Sequence, residues 1–187
     1  MTKPPGLRPT VCVNDRVAVL LAPVTRIAVP VTIRDLSAGD VASLGWSGSP
    51  AHLVSVREQL GRVASGEVEY LAACLPSGLP VGKAEIDYAR RDSAGTLCQA
   101  AVHPVLQSCG IGTLLVQVAE KRITARGYTT AELAVELDNS RARALYERLG
   151  YVAYGNEPDE WDAEGADGRI VRHRAMCTLM RKPLPKN

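Results

Sequence analysis

The sequence predicts an α/β (α+β) domain built on one mixed sheet of about six to seven strands, with helices on both faces. Segments rich in β-branched residues are interleaved with segments whose apolar residues recur at helical spacing. One nearly unbroken apolar strand leads through a glycine-containing turn into an amphipathic helix. The chain has 187 residues, 46% of them apolar, which is enough for one sizeable core. That core must be mainly aliphatic, because phenylalanine is absent.

The first elements are a strand and two helices. Residues 29–34 (VPVTIR) are mostly β-branched and predict the strand. Residues 37–44 begin with the capping-box pattern SAGD and predict a short helix. Residues 49–66 predict a second helix, with Ser49 as its N-cap and Pro50 at its first position. Its apolar residues recur at helical spacing and are Leu53, Val56, Leu60 and Val63.

Three antiparallel strands are predicted next, over residues 67–75, 81–88 and 96–102. In the second of these strands, charged residues alternate with small or apolar ones, which predicts one polar face. The charged residues of that face are Lys83, Glu85 and Asp87. The third strand is almost entirely apolar, so we expect it to be central and buried on both faces.

The second half of the chain predicts a helix, a strand, another helix and two further strands joined by an acidic loop. Apolar residues at helical spacing mark the two helices, and Gly127 and Gly150 are typical helix ends. In chain order, these elements cover residues 111–127, 130–137, 139–150 and 151–155, then the loop 157–167 and the last strand 169–180.

The turn between the third antiparallel strand and the following helix has the composition of an anion site. Gln107, Gly110 and Gly112 are spaced so that bare backbone amides can face outward at the start of the helix. Such amides and the helix dipole favour phosphate groups. A glycine-rich turn that binds nothing is the alternative. No lysine follows Gly112 as a P-loop requires, and the third glycine of a dinucleotide fingerprint is missing.

The segment Gln107-Ser-Cys-Gly-Ile-Gly112 and a second segment, Asn139-Ser-Arg-Ala-Arg-Ala-Leu-Tyr146-Glu-Arg-Leu-Gly-Tyr151, together resemble the two signatures of the GNAT N-acetyltransferase family. They occur in the family's order, separated by one helix and one strand. The resemblance covers residues 29–182 and implies the GNAT fold, in which the fourth and fifth strands splay apart around acyl-CoA. The resemblance does not imply a bound metal ion.

The resemblance also implies which residues bind the donor. Backbone amides of the turn would hold the pyrophosphate of acetyl-CoA, and backbone groups of the preceding strand would pair with the pantetheine. Motif positions at the start of the later helix would also contact the donor. These residues are Ala101, Val102, Gln107, Ser108, Cys109, Gly110, Ile111, Gly112, Thr113, Asn139 and Ala142. We interpret Cys109 as a backbone contributor and not as a nucleophile.

Two catalytic roles are assigned as hypotheses. Tyr146 is the candidate acid, because a phenol with a pKa near 10 can protonate a departing thiolate; a core aromatic residue is the alternative. The fourth strand carries no acid, so Glu85 on the neighbouring strand is the leading general base. Glu136, Asp87 and His103 are weaker candidates. For each carboxylate, a solvated surface position is the alternative.

The acidic loop holds six acids and no base: Glu157, Asp159, Glu160, Asp162, Glu164 and Asp167. A solvated hairpin tip is the favoured interpretation. The alternative is an acidic lip that attracts a cationic amine. We expect the amine to bind over the first two helices, near Trp46, and over the last strands.

The net charge and the cysteine pattern indicate the expected partners and cellular compartment. The net charge of +2 gives no bulk field for nucleic acid or membrane, so neither is expected as a partner. The five cysteines are scattered without a Cys-x-x-Cys pair, which argues against a zinc site and favours a reducing compartment, hence the cytoplasm. Residues 1–28 form a proline-rich leader, either poorly ordered, an extra strand or an over-extended start. Its run 17–22 only faintly resembles a signal peptide. Residues 183–187 form a tail.

The sequence therefore predicts an acyl-CoA-dependent N-acyltransferase that transfers acetyl from acetyl-CoA to a primary amine by direct attack. The acceptor is a small-molecule or peptide amine, and a cationic one is favoured only by the acidic lip. A non-catalytic acyl-CoA-binding sensor is the alternative, because the fourth strand lacks an acid. An acetyltransferase acting on charged tRNA has no support in the near-neutral charge. The family resemblance makes a homodimer plausible.

Overall fold

The computed structural model describes residues 28–165, 167 and 169–186, so nearly all of the predicted leader lies outside the described residues. Seven strands form one sheet in the order β1-β2-β3-β4-β5-β7-β6. All neighbours are antiparallel except β4 and β5. The prediction of a mixed sheet is thereby confirmed. The strands are β1 Thr32–Asp35, β2 Val68–Cys74, β3 Pro80–Asp87, β4 Gly95–Val102, β5 Thr130–Glu136, β6 Val152–Glu164 and β7 Ile170–Pro183.

In the described part of the chain, three α-helices cover the sheet: α1 Pro50–Gly61, α2 Ile111–Ala125 and α3 Ser140–Arg148. One hydrophobic cluster joins α1 to β2 and includes Val56 and Tyr70. A larger cluster joins α2 and α3 to the sheet and includes Ile123 and Tyr146. Burial of aliphatic side chains in these two clusters supplies the main stabilisation, since phenylalanine is absent.

The early helices differ from the prediction in form and length. Residues Ala38–Ser43 are a 3-10 helix, although the capping box is present, with the Asp40 carboxylate accepting from the Ser37 N–H at 2.8 Å. Helix α1 begins at Pro50 as predicted but ends at Gly61, not at Gly66. Arg62 is the C-cap of this helix, and its side chain binds Asp87 of β3 at 2.8 Å.

The acidic stretch is not a loop, so that prediction was wrong. Strand β6 runs through it to Glu164 and pairs with β7 as far as Glu164 opposite Ile170. Pairing of β7 with β5 stops earlier, at Glu136 opposite Cys177. Residues 157–164 and 170–176 therefore form a two-stranded extension beyond β5, which we call the ribbon. Few apolar residues stand between the acids of this stretch, so the sequence lacks the alternation of apolar and polar residues that is typical of a strand.

The parallel pair β4–β5 opens after three residues. Pairing runs from Gly95 opposite Ala131 to Leu97 opposite Leu133, and no later residue of β4 pairs with β5. Strand β4 also carries a bulge, because the register with β3 shifts between Lys83 and Glu85. The prediction that β4 is buried on both faces holds only for its start, since its second half is half-buried or exposed. This half of β4 borders an open cleft.

Candidate active site

A cavity of about 1010 Å³ occupies the cleft between the splayed strands. Its floor is the second half of β4, with Cys98 and Ala100, and it reaches Tyr146 of α3 on one side. Its other walls come from α1, with His52, and from the ribbon, with Trp161. Trp46 does not line this cavity; its ring packs against His103, with centroids 5.5 Å apart. A cavity of this size and mixed lining suits a small-molecule site.

The glycine turn at the start of α2 has the features of an anion site. Gly110 is the N-cap of α2 with φ +86°, and Ser108 also has a positive φ of +63°. Among the described residues, no hydrogen bond uses the backbone N–H groups of residues 108–113. A run of free N–H groups at a helix N-terminus is the geometry that binds phosphate.

The two glycines of the turn have different surroundings. A Cβ added at Gly110 would meet open space, so the outer side of the turn is unobstructed. A Cβ at Gly112 would lie 3.3 Å from Leu145 Cδ2, so this glycine permits close packing of α2 against α3. The residues present therefore fit a diphosphate, with Ser108, Cys109, Ile111 and Thr113 contributing backbone N–H groups.

Arg141 joins the two sequence motifs and was missed by the sequence interpretation. Its guanidinium donates to the Gln107 side-chain carbonyl and to Ser108 Oγ, the latter at 2.9 Å. Gln107 in turn donates from Nε2 to the Val102 carbonyl at 3.2 Å. The signal available was the position of Arg141 two residues after Asn139. Arg141 braces the turn and adds positive charge beside it.

The remaining predicted donor-binding residues lie at the start of α3 and at the end of β4. Asn139 and Ala142 line the cavity, and Asn139 Oδ1 caps α3 by accepting from the Ala142 N–H at 3.1 Å. Ala101 and Val102 pair in register with Lys83 and Gly82 of β3. Their opposite edge has no strand partner, because β5 has already diverged.

Tyr146 lines the cavity and is 8% exposed. Its ring packs against Tyr151 at 5.7 Å, and its hydroxyl has no hydrogen-bond partner among the described residues. Burial raises the pKa of Tyr146 to about 12, so the phenol keeps its proton at neutral pH. The side chain is thus part of the core and also borders the cavity.

Glu85 is not a solvated surface residue, as its alternative interpretation required, but is 2% exposed. It lies one strand behind the cavity floor, in register with Cys98, and does not itself line the cavity. Burial, followed by the repulsion of Asp87, raises the pKa of Glu85 to about 7. A carboxyl group with this pKa can exchange a proton near neutral pH, and it would reach the cleft through water.

The weaker base candidates differ in their surroundings. Asp87 is held by Arg62 at 2.8 Å and caps the next turn by accepting from the Ala89 N–H at 2.8 Å. Its oxygens are therefore occupied. Glu136 lines the cavity, whereas His103 does not, and His103 Nδ1 is buried without a partner among the described residues.

The ribbon acids are mostly neutralised by arginines from neighbouring elements. Asp159 pairs with Arg90, and Arg172 pairs with both Glu160 and Asp162. Residues 157–167 contain no basic residue, but in the folded protein arginines from other segments lie beside these acids. Glu58 and Glu136 are the cavity-lining carboxylates without an ion pair among the described residues.

Within the described ranges, no group of three or more His, Cys, Asp or Glu side chains is placed to hold a metal ion. In the same part of the chain, no helix is both long and apolar enough to cross a membrane. Cys109 is exposed in the turn, and its Sγ lies 3.7 Å from the Gln107 carbonyl oxygen.

This chain is similar in sequence to known acetyltransferases. The profile of the acetyltransferase (GNAT) family matches residues 46–151. Mycothiol acetyltransferase from Streptomyces scabiei is 36% identical over 63 residues, which is 34% of this chain and 20% of that protein. The chain therefore spans about a fifth of the length of the curated relatives it matches.

Solved structures show the same fold at low sequence identity. The ribosomal-protein-S18-alanine N-acetyltransferase from Escherichia coli superposes with a TM-score of 0.65 at 21% identity, covering 84% of this chain and 96% of that one. The spermidine N-acetyltransferase from Vibrio cholerae in complex with CoA and spermine gives a TM-score of 0.61 at 17% identity, covering 82% and 95%.

Proposed function

Because the chain belongs to the GNAT family of acetyltransferases, we propose that it is an N-acetyltransferase that moves an acetyl group from acetyl-CoA to a primary amine. One observation carries the proposal. The free N–H groups of residues 108–113 stand at the end of β4, beside the opening where β4 and β5 part. A diphosphate held there would have its acyl arm directed along an opening that Tyr146 borders.

Acetyl-CoA fits the residues present. The turn from Gln107 to Thr113 would bind the pyrophosphate through backbone donors, and Arg141 would keep the turn in that form. The unpaired edge of Ala101 and Val102 and the side chain of Asn139 would border the pantetheine. When bound, this donor supplies an activated acetyl thioester.

The transfer forms one carbon–nitrogen bond, breaks one carbon–sulfur bond and moves two protons. Glu85 would accept the proton that the attacking amine loses, by way of a water molecule that passes Cys98. Tyr146 would donate its phenolic proton to the departing sulfur. The proton held by Glu85 then returns to the phenolate through solvent. Direct attack needs no acyl-enzyme, and Cys109 therefore has no covalent role.

The acceptor is a small-molecule or peptide amine, and its class is a proposal. The structure from Vibrio cholerae contains spermine, which is a cationic amine. In this chain the cationic preference would come from Glu58 and Glu136, because arginines pair with most of the ribbon acids. A cytoplasmic location and a homodimer stay predictions. The four cysteines among the described residues are free thiols, which is in keeping with a reducing compartment.

The test uses the whole chain and two readouts. Acetyl-CoA should raise the melting temperature by mass action, whereas acetyl phosphate should not. Free thiol should then appear when spermidine, a lysine-containing peptide or a peptide with only an N-terminal amine is added. A melting shift without thiol release from a broader amine panel would favour the acyl-CoA sensor. The absence of any shift would refute the donor site.

A further inference from the structure

Lys83 is a fully buried lysine that the proposed chemistry does not use. Its exposed fraction is 0%, and no carboxylate among the described residues lies within 4 Å of its ammonium. Instead, Nζ donates to the Gln99 backbone carbonyl at 2.8 Å and to the Tyr70 hydroxyl at 3.1 Å. Lysine is almost never buried completely without a charged partner, so this placement calls for a role.

One partner of Lys83, Gln99, belongs to the bulge of β4, and the other, Tyr70, lies on β2. Neither Gln99 nor Ala100 is paired in register with β3 or β5, and both line the cavity. Gln99 has a positive φ of +47°, an unfavourable conformation for a residue with a side chain. Its side chain is tethered by the Tyr70 hydroxyl at 2.7 Å and by Ser55 of α1 at 3.2 Å. Lys83, Tyr70 and Ser55 together hold the bulge.

The Ala100 N–H lies on the cleft side of β4. The His103 N–H donates to Val81 of β3, so the backbone groups of the preceding residue, Val102, point the other way. The Val102 carbonyl indeed accepts from Gln107 outside the β3 ladder. Ala100 shares that orientation because alternate residues of a strand point the same way.

We propose that Lys83 is a positioning residue for acetyl transfer, whose ammonium holds and polarises the Gln99–Ala100 peptide so that the Ala100 N–H can bind the thioester oxygen. The proposal rests on the proposed function, because it needs acetyl-CoA in the cleft. A cation that binds the carbonyl end of a peptide draws electron density from its N–H end and makes that N–H a stronger donor. A donor fixed in a region of low dielectric stabilises developing negative charge without reorganising.

Donor binding alone supplies the readout, so no acceptor is required. Bound acetyl-CoA carrying carbon-13 at the acetyl carbonyl should show a lower infrared stretching frequency than in water, because the carbonyl is polarised. Lys83→Met should remove most of that lowering. Ser55→Ala is the matched control, since it breaks a tether of the Gln99 side chain but leaves both hydrogen bonds of Lys83. It should keep most of the lowering.

A pH series on the unaltered chain avoids any folding defect of a variant. Burial lowers the pKa of Lys83 to about 8, so the frequency should return toward its value in water as pH rises through 8. Apart from Glu85, the buried groups near Lys83 titrate outside this pH range. The pKa of His52 on α1 is lowered to about 4, that of Cys98 on β4 is raised to about 12, and that of Tyr70 on β2 is raised above its usual value. Glu85 titrates near 7, and Glu85→Gln removes its contribution.

The outcomes separate this inference from the proposed function. If acetyl-CoA binds with a lowered frequency that Lys83→Met and high pH both abolish, the inference is supported. Equal losses in Lys83→Met and Ser55→Ala, with no change through pH 8, would mean that Lys83 only supports the fold. If acetyl-CoA produces no melting shift, the proposed function fails and this inference fails with it. If an amine substrate is found, Lys83→Met should lower kcat by about tenfold and leave the KM of the amine unchanged. The loss is smaller than the ~100-fold expected when an oxyanion donor is removed completely, because the Ala100 N–H remains.

Discussion

The two halves of the proposed site are built in different ways. The donor half consists of contiguous residues, the turn 107–113, and offers backbone N–H groups that no other described residue uses. The acceptor half combines α1, the end of β5 and the ribbon, so residues as distant as Glu58 and Trp161 face one cavity. Its side chains are charged and largely engaged in ion pairs.

This difference has an energetic consequence. Backbone donors at a helix N-terminus are fixed in place before a ligand arrives, so each hydrogen bond to an anion is strong, about 1.5–3 kcal/mol. Exposed ion pairs typically contribute about 0.2–1 kcal/mol each. Changes in the donor half should therefore have large effects on binding, whereas single changes among the acceptor-side charges should have small ones.

The largest effect is expected at the turn. Gly110→Trp should lower acetyl-CoA affinity by about 100-fold or more. A side chain at φ +86° strains the turn, and the indole would cover several of the N–H groups that are proposed to bind the pyrophosphate. The melting shift caused by acetyl-CoA checks this. Gly110→Asn is the matched control, since asparagine tolerates the left-handed conformation and should retain most of the shift. Retention of the full shift in Gly110→Trp would contradict a donor site at this turn.

The next effect concerns chemistry at the border of the two halves. Tyr146→Phe should lower kcat by about 100-fold while the acetyl-CoA melting shift is retained, because only the proton donor is lost. Steady-state thiol release measures it. Tyr151→Phe is the control, since its ring packs on Tyr146 but does not line the cavity. An unchanged kcat in Tyr146→Phe would leave this residue as a core aromatic.

A third prediction concerns pH. The base form of Glu85 is the deprotonated one, so kcat/KM should rise as pH increases through about 7, and Glu85→Gln should abolish that rise. If Glu136→Gln abolishes it instead, Glu136 is the base.

Stability gives an independent check of Glu85. Its folded pKa lies above its usual value, so the folded chain binds more protons than the unfolded chain between pH 4.5 and about 7. Stability must then fall as pH rises through that window, by up to about 3 kcal/mol from this group. The melting temperature of Glu85→Gln, relative to the unaltered chain, should therefore be higher at pH 8 than at pH 5. A constant difference would contradict the raised pKa.

The smallest effect is expected in the acceptor half. Glu58→Gln should raise the KM of a cationic amine by about two- to fivefold, because it removes an exposed, unpaired carboxylate, and should leave acetyl-CoA affinity unchanged. Asp162→Asn serves as the control, since Arg172 already neutralises Asp162. Equal KM increases in both variants would restore the acidic lip as first formulated.

The sequence interpretation succeeded where local patterns are sufficient. The strand–turn–helix around Gly110 and the capped start of α1 depend on residues a few positions apart, and each was predicted correctly. It failed for β6, because acids in a strand are stabilised by arginines on β7 and on the loop after β3. It also placed Lys83 and Glu85 on a polar face, whereas the whole of β3 is buried.

By itself, the sequence determined the family and predicted a donor site, since both depend on two short motifs whose backbone conformation is encoded locally. Only the tertiary structure decided the surroundings of the side chains. The position of β3 between β2 and β4 in the sheet left Glu85 and Lys83 buried, and the divergence of β4 from β5 placed the bulge at an open cleft. Burial and charge pairing depend on residues that are far apart in the chain, so a local sequence pattern does not predict them.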